Sequence, residues 1–319
     1  MKIKSSKILV IGDVMIDRYI IGDHNRDSPE ADCAILNYSR TEDRLGGAAN
    51  VAYNLSQLNQ EVTLLSVTGD DEGAAILKNL CSTNRINCHA LIDPERPTTI
   101  KTRYVNDAYK QYLRLDHETT QSISTEIENN LINRITEISK SGIELIIIQD
   151  YNKGLLTNRI IDFIQSICKE NDIKLSVDPK HNNFRALSDC DLFKPNLKEL
   201  EHQYGRKINV NKDEIKNVLK KLDMDKANAV YVTLADKGIY FQQGDDYGII
   251  NGLTVTDPDV SGAGDTVISV LSILLLHGLS CNDMAAISNK CGAYVCKEQG
   301  VYFVKNTDFQ ELIHQTIVH

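Results

Sequence analysis

The stretch DPDVSGAGDT, residues 257–266, sets two glycines and an alanine directly before a carboxylate and a long apolar run. Glycine lets a backbone approach a ligand closely and adopt positive φ. A glycine-rich turn that opens a helix also points several N–H groups at one spot, with the positive end of the helix dipole behind them. Such a spot suits a phosphate oxygen or a developing oxyanion. Gly262, Ala263 and Gly264 supply the turn, and the helix is expected to begin near Asp265 and continue through VISVLSILLL. Asp265 itself has two readings. It is a good cap or first-turn residue, or it is a carboxylate placed to take a proton beside the anion site. Two other phosphate motifs are excluded: there is no GxxxxGK[ST], and SGAGDT is not GxGxxG because Val267 stands at the third glycine position.

The elements that must carry this turn alternate. KILVIGD (7–13) reads as a first strand, GGAANVAYNLSQL (46–58) as a turn feeding a helix, and EVTLLSVTGDD (61–71) as the next strand. ELIIIQD (144–150), IKLSVDPK (173–180) and NAVYVTLADKG (228–238) read as further strands, with helices at 124–140, 157–170 and 211–223. Strands alternating with helices imply an α/β fold: a mostly parallel sheet covered on both faces, with the site outside the carboxyl ends of the strands. Asp13, Asp70, Asp150 and Asp178 stand at those ends. Two segments break the rhythm. Residues 18–45 and 97–115 hold the short alternating stretches AILNYSR, IKTRYVN and KQYLRLD. They are read as a small β element inserted into one domain spanning 1–319, either a lid over the site or a peripheral hairpin.

Composition narrows the partners. Lys+Arg 35 against Asp+Glu 44 leaves a net charge of −9, with no basic run, which argues against nucleic acid. An anionic substrate would then need local cations. The N-terminus does not read as a secretory signal, and the apolar run 267–276 is far below the ~20 residues that span a bilayer, so no membrane is expected. The eight cysteines are scattered without a CxxC pair, as for reduced thiols in a cytoplasmic protein. None of the eight histidines has a catalytic constellation around it.

DVSGAGDT (259–266) resembles the C-terminal signature of the ribokinase-like (PfkB) sugar kinases, and Gly46-Gly47-Ala48-Ala49-Asn50 resembles their N-terminal signature. KPNLKEL (194–200) holds an NxxE element, Asn196 to Glu199, and VTLADKG (232–238) is similar to the family's nucleotide-binding strand and turn. The four motifs occur in the family's order and span nearly the whole chain. VIGDVMIDRY (10–19), NRDSPEA (25–31), RLGGAANVAYNL (44–55), TTIKTRYV (98–105), LRLDHE (113–118), QDYNKGLL (149–156) and SVDPK (176–180) further resemble a subgroup, the kinase domain of the bacterial heptose-7-phosphate kinases.

The resemblance implies a three-layer αβα sandwich with a mostly parallel central sheet and a small β lid. It implies ATP and Mg²⁺ as cofactors and transfer of the γ-phosphoryl group to the anomeric hydroxyl of a phosphorylated sugar. Asp265 would be the general base, and the N–H groups of Gly262, Ala263 and Gly264 the anion hole. Asp13, Asp17, Gly46, Gly47 and Asn50 would contact the sugar. Arg103, Lys153 and Lys180 would meet its phosphate. Asn196 and Glu199 would organise Mg²⁺ through water, and Thr233, Gly238 and Asn289 would line the nucleotide. A homodimer joined through the lids and a stand-alone kinase without a following nucleotidyltransferase domain are also expected. Another ribokinase-like kinase, acting on ribose, fructose or a different phosphosugar, and a non-catalytic sugar-binding homologue are the alternatives. Two departures bear on the substrate: SPEADCA (28–34) replaces a more proline-rich lid segment, and DYNKG (150–154) replaces a DYGKG pattern.

Overall fold

Strand β1 (Lys7–Gly12) is buried at every position after Lys7. Its side chains divide by parity, as a pleat requires: Ile8 and Val10 join one apolar core, Leu9 and Ile11 the other. A strand apolar on both faces belongs in the middle of a covered parallel sheet, and that is its place in the computed structural model, which describes residues 3–317. From β1 the chain passes through β2 (Val14–Asp27), β3 (Ala34–Gly47), α1 (Ala48–Gln57), β4 (Glu61–Thr68), α2 (Glu72–Thr83), β5 (Asn87–Ile92), β6 (Ile100–Val105) and β7 (Gln111–His117). It continues through α3 (Thr125–Ser139), β8 (Leu145–Gln149), α4 (Asn158–Asn171), β9 (Lys174–Asp178), β10 (Leu192–Phe193), α5 (Leu197–Tyr204) and α6 (Lys212–Lys221). Then come β11 (Ala229–Thr233), β12 (Gly238–Gln243), β13 (Asp246–Asn251), α7 (Ala263–Leu276), α8 (Cys281–Val295) and α9 (Asn306–Ile317).

The large sheet has nine strands in the order β13-β12-β11-β10-β9-β8-β1-β4-β5. It is parallel from β5 through β11 and antiparallel at β12 and β13. The core on one face is built with α1, α2, α7, α8 and α9, that on the other with α3, α4, α5 and α6. This is the expected three-layer α/β sandwich. Helix α7 is buried at every residue from Asp265 to Leu274. It is a core helix, and among the described residues no helix is long and apolar enough to cross a membrane.

The second sheet has four strands in the order β3-β2-β6-β7. It uses both segments that broke the α/β rhythm, the first running longer than expected, to 14–47, and the second shifted to 100–117. One face closes over Tyr19, Ile21 and Val105. Tyr38, Leu113 and Leu115 remain 66%, 59% and 58% exposed.

Three expected boundaries shift, each for a local reason. The strand 61–71 stops at Thr68 because Asp71 caps α2, its Oδ1 accepting from the Ala74 N–H at 3.0 Å. The stretch 228–238 splits at a turn in which Ala235 has φ 57°, and the chain reverses into β12. Helix α7 starts at Ala263, earlier than expected, because Gly262 at φ 77° is its N-cap.

At the carboxyl end of β1, a Cβ on Gly12 would lie 1.9 Å from the Gln149 carbonyl oxygen of β8. The close approach of the two central strands therefore depends on glycine there. Gly12→Ala is expected to cost about 1–3 kcal/mol of stability by overpacking, read as a lower urea midpoint at unchanged slope; an unchanged midpoint would contradict this packing.

Candidate active site

The carboxylate of Asp265 is 5% exposed and stands in the first turn of α7. Three side chains from distant parts of the chain donate to it. Asn50 Nδ2 reaches Oδ2 at 2.7 Å, the Tyr151 hydroxyl reaches Oδ1 at 2.9 Å, and Gln149 Nε2 reaches Oδ1 at 3.3 Å. The N-terminal and C-terminal glycine signatures thus meet. A Cβ on Gly262 would lie 2.8 Å from Asn50 Nδ2, so the turn must be glycine for the two to approach. A polar seam fixes α7 against α1: Thr266 Oγ1 donates to Asn54 Oδ1 at 2.9 Å, and Asn54 Nδ2 donates to the Asn50 carbonyl at 2.9 Å. Burial pushes the Asp265 carboxyl up to about 7, helped by the nearby Asp178 charge and opposed by the Asn50 and Tyr151 hydrogen bonds and by Lys194. A carboxyl tuned to neutral pH suits proton transfer.

The first-turn N–H groups of Gly264 and Asp265 have no hydrogen-bond partner among the described residues, whereas Ala263 N–H donates to the Val260 carbonyl at 3.3 Å. Ala263 therefore supplies the turn's small side chain rather than a free donor. Beside this turn lies Lys194, which was not singled out in the sequence. Its ammonium is 3.1 Å from Asp178 Oδ2, and a Cβ on Gly264 would come within 3.9 Å of it. Free N–H groups at a helix N-terminus with a buried lysine alongside fit a phosphate group.

The strand ends position the residues expected to organise Mg²⁺ and line the nucleotide. Asn196 bridges to Thr233, whose N–H donates to the Pro195 carbonyl at 3.1 Å. Asn196 and Glu199 form a capping box on α5, with Glu199 Oε2 accepting from the Asn196 N–H at 2.8 Å and the reverse bond at 2.9 Å. Glu199 also pairs with the Lys180 ammonium. Its oxygens are thus engaged within the chain, which fits an outer role toward a hydrated Mg²⁺ and not direct ligation, since Mg²⁺ dehydrates reluctantly. Gly238 has φ 103° and no room for a Cβ, which would lie 2.0 Å from the Ile250 carbonyl oxygen. Asn289 on α8 donates to the Asn251 carbonyl at 2.8 Å, tying α8 to the end of β13.

Among the residues expected to contact the sugar, Asp17 is paired with Arg103, whose guanidinium also lies 5.4 Å from the Tyr19 ring centre. A Cβ on Gly46 would lie 2.3 Å from Asp17 Oδ2, and Gly47 at φ 58° is the N-cap of α1. Lys153 Nζ is 2.6 Å from Glu118, which Lys101 also approaches at 3.2 Å. All three cations expected to meet a sugar phosphate therefore already face carboxylates, and Lys180 lies with the nucleotide-side Glu199 rather than with Arg103 and Lys153.

Asp13 departs furthest from its expected role. Its carboxylate accepts from the N–H groups of Tyr151 at 2.9 Å, Lys153 at 3.0 Å and Leu155 at 3.4 Å, so it holds the 151–155 loop instead of facing outward. Burial raises it to about 6 despite those bonds. In that loop Asn152 has φ 55°. The Asn in place of the expected Gly keeps the left-handed backbone, which Asn tolerates better than other side chains. Asp150 likewise serves the loop, accepting from Asn152 N–H at 2.8 Å and Asn183 Nδ2 at 3.0 Å. Asp70 is exposed and hydrogen-bonds to none of this cluster. Gln149 Oε1 and the Tyr19 hydroxyl are buried without hydrogen-bond partners among the described residues.

Comparison with known proteins agrees with this geometry. Residues 5–308 match the family model described as pfkB family carbohydrate kinase. The bifunctional protein HldE of Helicobacter hepaticus is 33% identical over 312 residues, 98% of this chain and 64% of that protein. HldE of Pasteurella multocida is 33% identical over the same shares of each. The chain thus spans less than two thirds of the length of these relatives. Among solved structures, phosphofructokinase-2 from Escherichia coli superposes with a TM-score of 0.81 at 18% identity, covering 98% of this chain and 99% of that one. Ribokinase from Thermotoga maritima superposes at 0.71 with 15% identity, covering 96% and 99%. These two share the fold. With the family match over nearly its whole length and the two glycine signatures joined around Asp265, the chain belongs to the pfkB family of carbohydrate kinases.

Proposed function

We propose that the chain phosphorylates the anomeric C1 hydroxyl of D-glycero-β-D-manno-heptose 7-phosphate, giving the 1,7-bisphosphate used in ADP-heptose and lipopolysaccharide core synthesis. ATP supplies the γ-phosphoryl group, and Mg²⁺ spreads the charge that develops on it. The observation that carries the kinase chemistry is a buried carboxylate in the same helical turn as two free N–H groups. The heptose is supported by the subgroup-like stretches around Asp17, Arg103 and Lys153 and by the identity to the HldE proteins.

Each residue has a task in this reading. Asp265 takes the proton from the attacking hydroxyl. The N–H groups of Gly264 and Asp265 and the Lys194 ammonium hold the transferring phosphoryl oxygens. Asp17 and the backbone at Gly46 and Gly47 orient the sugar, with Asn50 fixing the base. Arg103 and Lys153 exchange their carboxylate partners for the sugar's phosphate, where Arg matches two oxygens at once. Asn196 and Glu199 would arrange hydrated Mg²⁺, with Lys180 holding Glu199 in place, and Thr233, Gly238 and Asn289 border the nucleotide. The reaction belongs in the cytoplasm, where ATP and reduced thiols are found.

A second reading, a free sugar such as ribose or fructose, is favoured by one observation: Arg103 and Lys153 are already neutralised by Asp17 and Glu118. ATP consumption across the heptose 7-phosphate, ribose, fructose and fructose 6-phosphate separates the two, with NMR of the product. Strong preference for the heptose with new phosphate at C1 is expected; preference for a free sugar would overturn the substrate assignment.

The four-stranded sheet acts in this reading as a lid that pairs with the lid of a second copy, burying Tyr38, Leu113 and Leu115. Light scattering is expected to give a dimer that the double substitution Leu113→Asp and Leu115→Asp converts to a monomer. A monomeric wild type would contradict the shared lid.

A further inference from the structure

The three donors to Asp265 are not equivalent, and the difference fixes which oxygen is open. An ionised carboxylate offers about four lone-pair sites. Oδ1 has both of its sites used, by the Tyr151 hydroxyl at 2.9 Å and by Gln149 Nε2 at 3.3 Å. Among the described residues Oδ2 receives only Asn50 Nδ2, at 2.7 Å, and keeps one site. Gln149 Nε2 reaches further, to Asp178 Oδ2 at 3.0 Å, so one amide clamps the carboxylate at the end of β9 and the one in the first turn of α7. Asp178 is in turn held by Lys194 at 3.1 Å. The Tyr151 ring is itself fixed, with the Lys180 ammonium 5.2 Å from its centre.

We propose that Tyr151 is a positioning residue for the base: its hydroxyl, with Gln149, locks Oδ1 so that Oδ2 takes the sugar hydroxyl proton, and Tyr151 and Asp178 set from opposite sides the pH at which Asp265 is ready. The inference rests on the reading of Asp265 as base. The signs follow from elementary electrostatics. A hydroxyl donating to Oδ1 stabilises the ionised form, while the Asp178 charge destabilises it. The other groups facing this pair are the Lys194 and Lys180 ammonium groups, which favour the carboxylate, and Asp17, which lies on the Tyr151 side. Asn50 and Gln149 carry no charge, so neither titrates against the base.

The test reads Asp265 directly. In protein labelled with ¹³C at the aspartate carboxyls, the Asp265 resonance is assigned by its loss in Asp265→Asn, and its titration is followed in wild type, Tyr151→Phe and Asp178→Asn. Wild type is expected to titrate near 7. Losing a charge-assisted hydrogen bond should move the midpoint in Tyr151→Phe up by about one pH unit, and Asp178→Asn should move it down. The acid limb of kcat/KM, which falls tenfold per pH unit below the midpoint because only the ionised base works, should shift with it in the same two directions. A merely structural role would lower kcat in both variants and leave the midpoints alike. Midpoints that stay put, or that move the same way in both variants, would overturn the proposal. Opposite midpoint shifts with no acid limb in wild-type kcat/KM would overturn the base reading and the proton-accepting role of Oδ2 with it. The titration needs no sugar, so a wrong substrate assignment does not enter its outcome.

Discussion

A carboxylate withdrawn from water at the mouth of a helix is the constraint around which the molecule is arranged. Desolvation works against the ionised form of Asp265, and a buried charge persists only where hydrogen bonds and opposite charges compensate. Here the compensation comes from α1 through Asn50, from the end of β8 through Gln149 and from the loop after it through Tyr151. None of these elements is adjacent to α7 in sequence. The first turn of α7 is therefore fixed in place by the same contacts that hold its carboxylate near neutral pH.

The sheet explains why those contacts can form. The parallel order β9-β8-β1-β4 sends the carboxyl ends of the strands to one edge, and each end delivers a polar residue: Asp178 from β9, Gln149 from β8, Asp13 just after β1. The residues divide their labour by where their oxygens point. Asp13 and Asp150 spend their carboxylates on backbone N–H groups and so shape the 151–155 loop, while Asp178 and Asp265 share Gln149 beside Lys194. Side chains that look alike in type and position along the chain thus take structural or chemical roles according to which donors the fold supplies. The four-stranded sheet grows from the same edge, because β2 leaves β1 through Asp13 and carries Asp17 to Arg103 on β6.

Much of this was legible in the sequence. The alternation of strands and helices gave the α/β architecture, and the glycine signatures around Asn50 and Asp265 marked the two halves of the site. Their direct contact was not legible, because it joins residues 215 positions apart through side-chain geometry. The ion pairs were hidden for a related reason. Arg103, Lys153 and Lys180 are phosphate-binding candidates by type, but their partners Asp17, Glu118 and Glu199 lie on other elements, and only the fold brings each pair together. Tyr151 and Lys194 stood inside quoted stretches, yet a tyrosine after a strand and a lysine before a proline carry no chemical signal until burial shows what they face. The Asn at position 152 is a departure in type, and its positive φ is one that glycine also adopts readily.

The central claim is that Asp265 acts as a base and not merely as a first-turn helix residue. Asp265→Asn tests it directly, because an amide keeps the shape and the place near Asn50 and Tyr151 while losing the capacity to take a proton. With circular dichroism and ATP binding unchanged, the account predicts that kcat falls by about 10²–10⁴-fold, the usual contribution of general base catalysis. Turnover within a few-fold of wild type would contradict it and leave Asp265 as a buried first-turn residue of α7.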